Sequence, residues 1–293
     1  MLALRLMAWI AVTLGRRAAR AVLHPISLYF LLFAPTARRH SSRYLARALG
    51  RPAHWRDLYR HLHAFASTVL DRVYFVRGQT ARLDLRLTGG ADVDAVLAEG
   101  RGGVLMGAHL GSFEALHAIG ETRPGLRVAM VMYLDNARMI QSVLQALAPD
   151  FGLSIIPIGQ PGSTLAIRDW VDAGGLVGLL GDRLPPAGAT RSGTMTLPFL
   201  GTPAPFSDGP LRVAQLLRRR VIFMVALYRG GRRYDLRFLP LADFRVPAAD
   251  PAARERELAD ALRDYVVRLE ALCREAPYNW FNFYDFWHED PAR

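Results

Sequence analysis

From Leu83 onward, short apolar runs alternate with amphipathic ones, and each change of period marks a change of element. "LDLRLTG" (83–89) predicts a strand, and "ADVDAVLAEG" (91–100) a helix ending at Gly100. "GVLMGAH" (103–109) predicts a buried strand, followed by a helix after Gly111. "RVAMVMY" (127–133) is a strand pattern, and "NARMIQSVLQALAPDFG" (136–152) a helix. "SIIPIG" (154–159), "STLAIRDWVDAGG" (163–175) and "LVGLLGD" (176–182) continue as strand, helix and strand. "SDGPLRVAQLLRRR" (207–220) is helical, "VIFMVALYR" (221–229) and "RYDLRFLPL" (233–241) are strands, and residues 250–277 form a long terminal helix. Buried strands alternating with helices predict an α/β fold: a mixed, mostly parallel central sheet flanked by helices.

The N-terminal pattern is different. Two apolar segments, Leu2–Gly15 and Ala21–Pro35, flank Arg16, Arg17 and Arg20. Each falls short of the roughly 20 residues that cross a bilayer comfortably. A cleavable signal peptide is disfavoured, because no small-x-small site leads into a polar mature start. Up to Arg60 the only acid is Asp57. An apolar face with arginine beside it is the pattern of an amphipathic helix lying in an anionic interface. The alternative is a helical hairpin packed on the body. Residues 1–50 are therefore expected to form a membrane-associating helical element, and residues 51–293 a catalytic domain. Its first part, about His54 to Arg77, is an amphipathic helix on which His61 and His63 are expected on a solvated or interfacial face.

Composition narrows the partners. The net charge is +11 over 293 residues, and all 37 basic residues are arginine. The guanidinium fork binds phosphate and carboxylate bidentately, so nucleic acid, an anionic membrane or an acidic protein would suit this surface. Cys273 is the single cysteine, so an internal disulfide and a Cys-x-x-Cys site are excluded.

Candidate chemistry centres on "GVLMGAHLGSFEAL" (103–116). Ligands of open α/β sheets bind beyond the carboxyl ends of the strands, which is where His109 falls. Gly111 permits a tight turn, Ser112 is a candidate N-cap, and Glu114 follows in the first helical turn. A turn between them can bring the Glu114 carboxylate back to a ring nitrogen of His109, fixing the tautomer of a general base. The local alternative is a core histidine and a glutamate complementing a helix dipole. Gly-x-Ser-x-Gly, His-Glu-x-x-His, phosphate-loop and Gly-x-Gly-x-x-Gly motifs are all lacking. A metal set of His109, Glu114 and His117 is disfavoured, because His117 would point away along the helix. A second block, from Gly178 to Pro210, places Asp182 and Arg183 at another strand end before a Gly/Pro/Ser/Thr-rich stretch expected to be a mobile loop over the site. Arg183 is a candidate phosphate or acyl-group contact, or else Asp182 and Arg183 pair to pin the loop. Arg138 is a further candidate from a neighbouring strand end.

Together these residues resemble the bacterial lipid A biosynthesis late acyltransferase family, within the wider lysophospholipid acyltransferase-like superfamily. "GAHLGSFE" resembles that family's His-x4-Glu/Asp block. "YLDNARM", "GLLGDR", "LPFLGTPAPFSDGPLRVAQLLRRRVIFM" and the Arg-rich N-terminus extend the likeness from about Ala8 to Trp287. The resemblance implies an O-acyltransferase with no cofactor and no metal. His109 would take the proton of an acceptor hydroxyl and Glu114 would orient the ring. The acyl donor would be a thioester on acyl carrier protein or coenzyme A. Backbone amides near Gly111 or a nearby arginine would hold the oxyanion, with Gly111, Ser112, Arg138, Asp182 and Arg183 on the substrate side. It also implies the cytoplasmic face of an inner membrane, an anionic surface. The C-terminus "PYNWFNFYDFWHEDPAR" departs from the family's aromatic–basic run, which weakens the case for lipid A itself as acceptor and resembles divergent members associated with other acylated lipids, glycolipids or polyene-type products. Its aromatics, Trp280 to Trp287, are expected in the core or else in a membrane belt, with the core favoured. Two other readings remain: a thioesterase-like hydrolase using His109 on water, and a non-catalytic basic protein binding membranes or nucleic acid. Nucleic acid is disfavoured, because no module of interleaved basic and aromatic residues is present.

Overall fold

The computed structural model describes residues 13, 15–115, 126–133, 154–185 and 193–289. The helix expected after Gly111 is described only as far as Ala115, and the rest of it, the helix over 136–152, His117 and Arg138 fall on residues outside this set. Nine strands are described: β1 (Asp84–Thr88), β2 (Gly103–Gly107), β3 (Val128–Tyr133), β4 (Ser154–Ile158), β5 (Leu176–Leu180), β6 (Thr194–Phe199), β7 (Thr202–Ser207), β8 (Arg220–Tyr228) and β9 (Arg233–Asp243). The described α-helices are α1 (Gly15–Phe33), α2 (Pro35–Leu49), α3 (Trp55–Val76), α4 (Gly90–Ala98), α5 (Ser163–Asp172), α6 (Gly209–Leu216) and α7 (Pro251–Glu275).

Seven strands form one sheet in the order β1-β9-β8-β2-β5-β3-β4. Only β8 and β9 pair antiparallel; every other neighbour is parallel. The expected α/β class with a mostly parallel mixed sheet is therefore the observed one. β2 is the middle strand and is buried throughout, which is why "GVLMG" lacks alternating polar residues. The two-residue period of β8 sorts its side chains onto opposite faces. Val221, Phe223, Val225 and Leu227 join the core with α2, α7 and the β6–β7 hairpin. Ile222, Met224, Ala226 and Tyr228 join the other, with α1, α3 and α4.

The stretch read as a mobile loop is in part a hairpin. β6 and β7 pair antiparallel from Thr194↔Ser207 to Phe199↔Thr202 and bury Leu197, Phe199, Ala204 and Phe206. Pro198, Pro203 and Pro205 argued against strands, but a separate two-stranded ribbon has outer edges on which a missing N–H costs no ladder bond. At the N-terminus, Pro35 opens α2, and the chain bends by 94° between α1 and α2. No single described helix is long and apolar enough to cross a membrane. Arg16 of α1 forks onto Asp71 of α3 at 2.7 and 2.6 Å, and the fully buried Asp71 also accepts the Tyr234 hydroxyl at 2.8 Å.

Candidate active site

The site begins with strand adjacency. β2 and β5 are parallel neighbours in register from Gly103↔Leu176 to Gly107↔Leu180. The Gly181 N–H continues the ladder to the Gly107 carbonyl at 3.0 Å. Two residues beyond each strand, His109 and Asp182 therefore stand level. Asp182 accepts the His109 backbone N–H at 3.0 Å through one carboxylate oxygen, and the other lies 2.8 Å from the ring Nδ1.

Asp182 is 1% exposed, and four donors surround its carboxylate. Beyond the two from His109 come the Trp280 indole N–H and the Asn282 amide, each at 2.9 Å. Burial alone would push this carboxyl up. The charge and two hydrogen bonds of His109, with the charge of Arg183, outweigh it and hold the group at about 2. Asp182 is thus ionised across the neutral range. An ionised carboxylate only accepts, so Nδ1 carries the ring proton and Nε2 is the basic nitrogen. The ring is 27% exposed, and Nε2 has no hydrogen-bond partner among the described residues.

The wall behind the histidine comes from the far end of the chain. After α7, a 3-10 turn (Pro277–Asn279) returns the chain to the strand ends. Leu110 and Trp280 form an antiparallel bridge, the Phe281 N–H donates to the His109 carbonyl at 2.7 Å, and the Gly111 N–H donates to the Asn279 carbonyl at 2.8 Å. The Asn279 side chain accepts the Tyr228 N–H at 2.7 Å and donates to the Tyr228 carbonyl at 3.1 Å, closing the end of β8. His61 is fully buried, which corrects the solvated face expected for it. The Trp280 carbonyl can only accept, so His61 Nε2 donates to it at 2.9 Å while Nδ1 accepts the Ser41 hydroxyl at 2.7 Å. Burial drives this imidazole down to about 4, so it is neutral. The C-terminal aromatics are core as expected for Trp280, Phe281 and Phe286, while Tyr284 is 38% exposed.

Gly111 adopts φ +76° and lies so close to β8 that a Cβ would run into the Ala226 carbonyl. The Ser112 N–H donates to that same carbonyl at 3.0 Å. The Gly111 and Ser112 amides are therefore already bonded to backbone, which leaves the expected oxyanion role to another amide of this turn or to an arginine. Arg183 is a cation beside the site. Its Nε donates to the Asn282 side-chain oxygen at 2.8 Å and Nη2 to the Phe281 carbonyl at 3.3 Å, while its guanidinium lies 5.3 Å from the Tyr284 ring centre. Asn282 thus bridges Asp182 and Arg183, which share no ion pair of their own.

Glu114 lies apart from this network. Its carboxylate pairs with Arg72 of α3 at 2.7 Å and accepts the buried Ser112 hydroxyl at 3.2 Å. The ring-orienting place expected for Glu114 is held by Asp182. Asn279, Trp280 and Asn282 were missed as site residues. The available signal was "YNWFN", where two amides interrupt an aromatic run whose burial requires them to find partners. Neither a protein-family model nor a curated protein matches this chain.

Proposed function

We propose that this chain is a membrane-associated O-acyltransferase, a divergent relative of the lipid A late acyltransferase family. It would move a fatty acyl group from an acyl-carrier-protein or coenzyme A thioester to a hydroxyl of a lipid or glycolipid. The observation that carries the reading is His109, whose Nδ1 is held by a buried ionised carboxylate while Nε2 is left as a base at the strand ends. No serine elbow competes for the nucleophile's part, so the histidine acts on a hydroxyl that the substrate brings.

In the proposed reaction Nε2 removes the acceptor hydroxyl proton as its oxygen attacks the thioester carbonyl. Asp182 steadies the imidazolium that forms. Arg183 faces the charge that develops on the carbonyl oxygen. The tetrahedral adduct then collapses: the C–S bond breaks, the imidazolium proton goes to the departing sulfur, and the ester remains. Glu114, held by Arg72 and Ser112, is assigned to the acceptor side. The arginine-rich surface favours acidic carrier-protein donors and the anionic cytoplasmic face of an inner membrane.

The test is transfer from radiolabelled acyl-carrier-protein thioesters into total membrane lipid, with free fatty acid measured in parallel. Label in a lipid with the wild type, lost in His109→Ala, is the expected result. Label released only as free acid would instead make the chain a thioesterase.

A further inference from the structure

α2 has two faces. The inward stripe, His40, Ser41, Tyr44, Leu45 and Ala48, is buried. The outward stripe, Pro35, Arg38, Arg39, Ser42, Arg43 and Ala46, repeats at helical spacing and lines an open groove of about 980 Å³. Arg51, from the loop after α2, lines it too, and among the described residues no acidic one does. Arg43 lies 3.7 Å from Asp285 and 3.8 Å from Glu289, and Arg51 donates to Asp57 at 2.8 Å. Arg38 donates to the Leu31 carbonyl at 2.9 Å, which ties the groove to the last turn of α1.

That last turn is apolar and uncovered. Leu28, Tyr29, Leu32 and Phe33 are 48, 58, 56 and 68% exposed. Phe33 stands two residues before Pro35, the first lining residue of the groove. An arginine-lined groove beside an exposed apolar helix end matches both layers of a membrane surface: phosphate for the guanidiniums and the acyl boundary for the apolar side chains. A soluble phosphate ligand would leave the apolar end unexplained.

We infer that this groove binds the phosphate of an anionic phospholipid headgroup, with the end of α1 embedded beside it. The inference deepens the membrane part of the proposed function and rests on it. The inward face of the same helix touches the wall of the site: the Tyr44 ring is 4.9 Å from that of Trp280, and Ser41 holds His61 against the Trp280 carbonyl. A lipid seated in the groove would therefore lie about one helix diameter, roughly 10 Å, from that wall.

The test uses the full chain and sedimentation with vesicles of phosphatidylcholine alone or mixed with phosphatidylglycerol. The wild type should prefer the anionic vesicles. Arg38→Gln with Arg39→Gln should cut that partition by about fivefold per arginine, with circular dichroism unchanged. Phe33→Ser should weaken binding to both vesicle types. Glycerol phosphate should not displace the protein. Equal partition of wild type and double variant, or displacement by glycerol phosphate, would overturn the inference. If the partition difference appears while no protein transfers acyl groups, the groove stands and the enzymatic reading falls.

Discussion

The carboxylate of Asp182 takes both the backbone N–H and the ring Nδ1 of His109, at 3.0 and 2.8 Å. One contact fixes the turn and the other fixes the ring, so the base is aimed by a residue on the neighbouring strand. Asp182→Asn removes the charge that selects the tautomer. Transfer should fall on the order of 10³–10⁴-fold with little change in KM. Nitrogen NMR of His109 should then show loss of the Nδ1–H tautomer, whereas Glu114→Gln should leave it intact. The reverse pattern would return the orienting role to Glu114.

Trp280→Phe keeps the aromatic packing but removes one of four donors to a buried charge. Urea unfolding should show a loss of about 1.5–3 kcal/mol, and transfer should fall as the hold on His109 slackens. Unchanged stability would mean that water or another side chain replaces the indole N–H.

Gly111→Ala tests the close approach of the site turn to β8. The new Cβ meets the Ala226 carbonyl on a backbone already at positive φ, so a cost of about 3 kcal/mol or failure to accumulate is expected. Gly50→Ala is the control: it also has positive φ but open space, and should cost about 1 kcal/mol. Equal melting temperatures for the two variants would contradict the close contact.

His61 should make the protein acid-sensitive. Burial holds its pKa at about 4, below the ordinary 6.5, so the folded chain binds this proton less readily than the unfolded one. Its contribution is complete above pH 6.5, is lost as pH falls toward 4, and amounts to about 3 kcal/mol. Asp182, also depressed, acts in a lower window, from its unfolded value of 3.8 down to about 2. Between pH 6.5 and 4.5 the urea midpoint of the wild type should fall more steeply than that of His61→Gln. Parallel slopes would show that His61 is not buried neutral.

Much of the architecture was legible in short windows of sequence. The apolar runs of β2, β5 and β8 and the helical periods of α5 and α7 are local, and they placed His109 and Asp182 at strand ends. The β6–β7 hairpin was hidden by its prolines, and the burial of His61 by a polar neighbourhood that folds against Trp280. Which carboxylate faces His109 was also not local. Glu114 is five residues away along the chain, yet Arg72 from α3 holds it. Asp182 is 73 residues away, yet the β2–β5 pairing brings it to the ring. Hydrophobic period records whether a residue faces the core. The partners of a buried polar group depend on strand order and register, and on which distant segment, here Asn279–Asn282, closes over the strand ends.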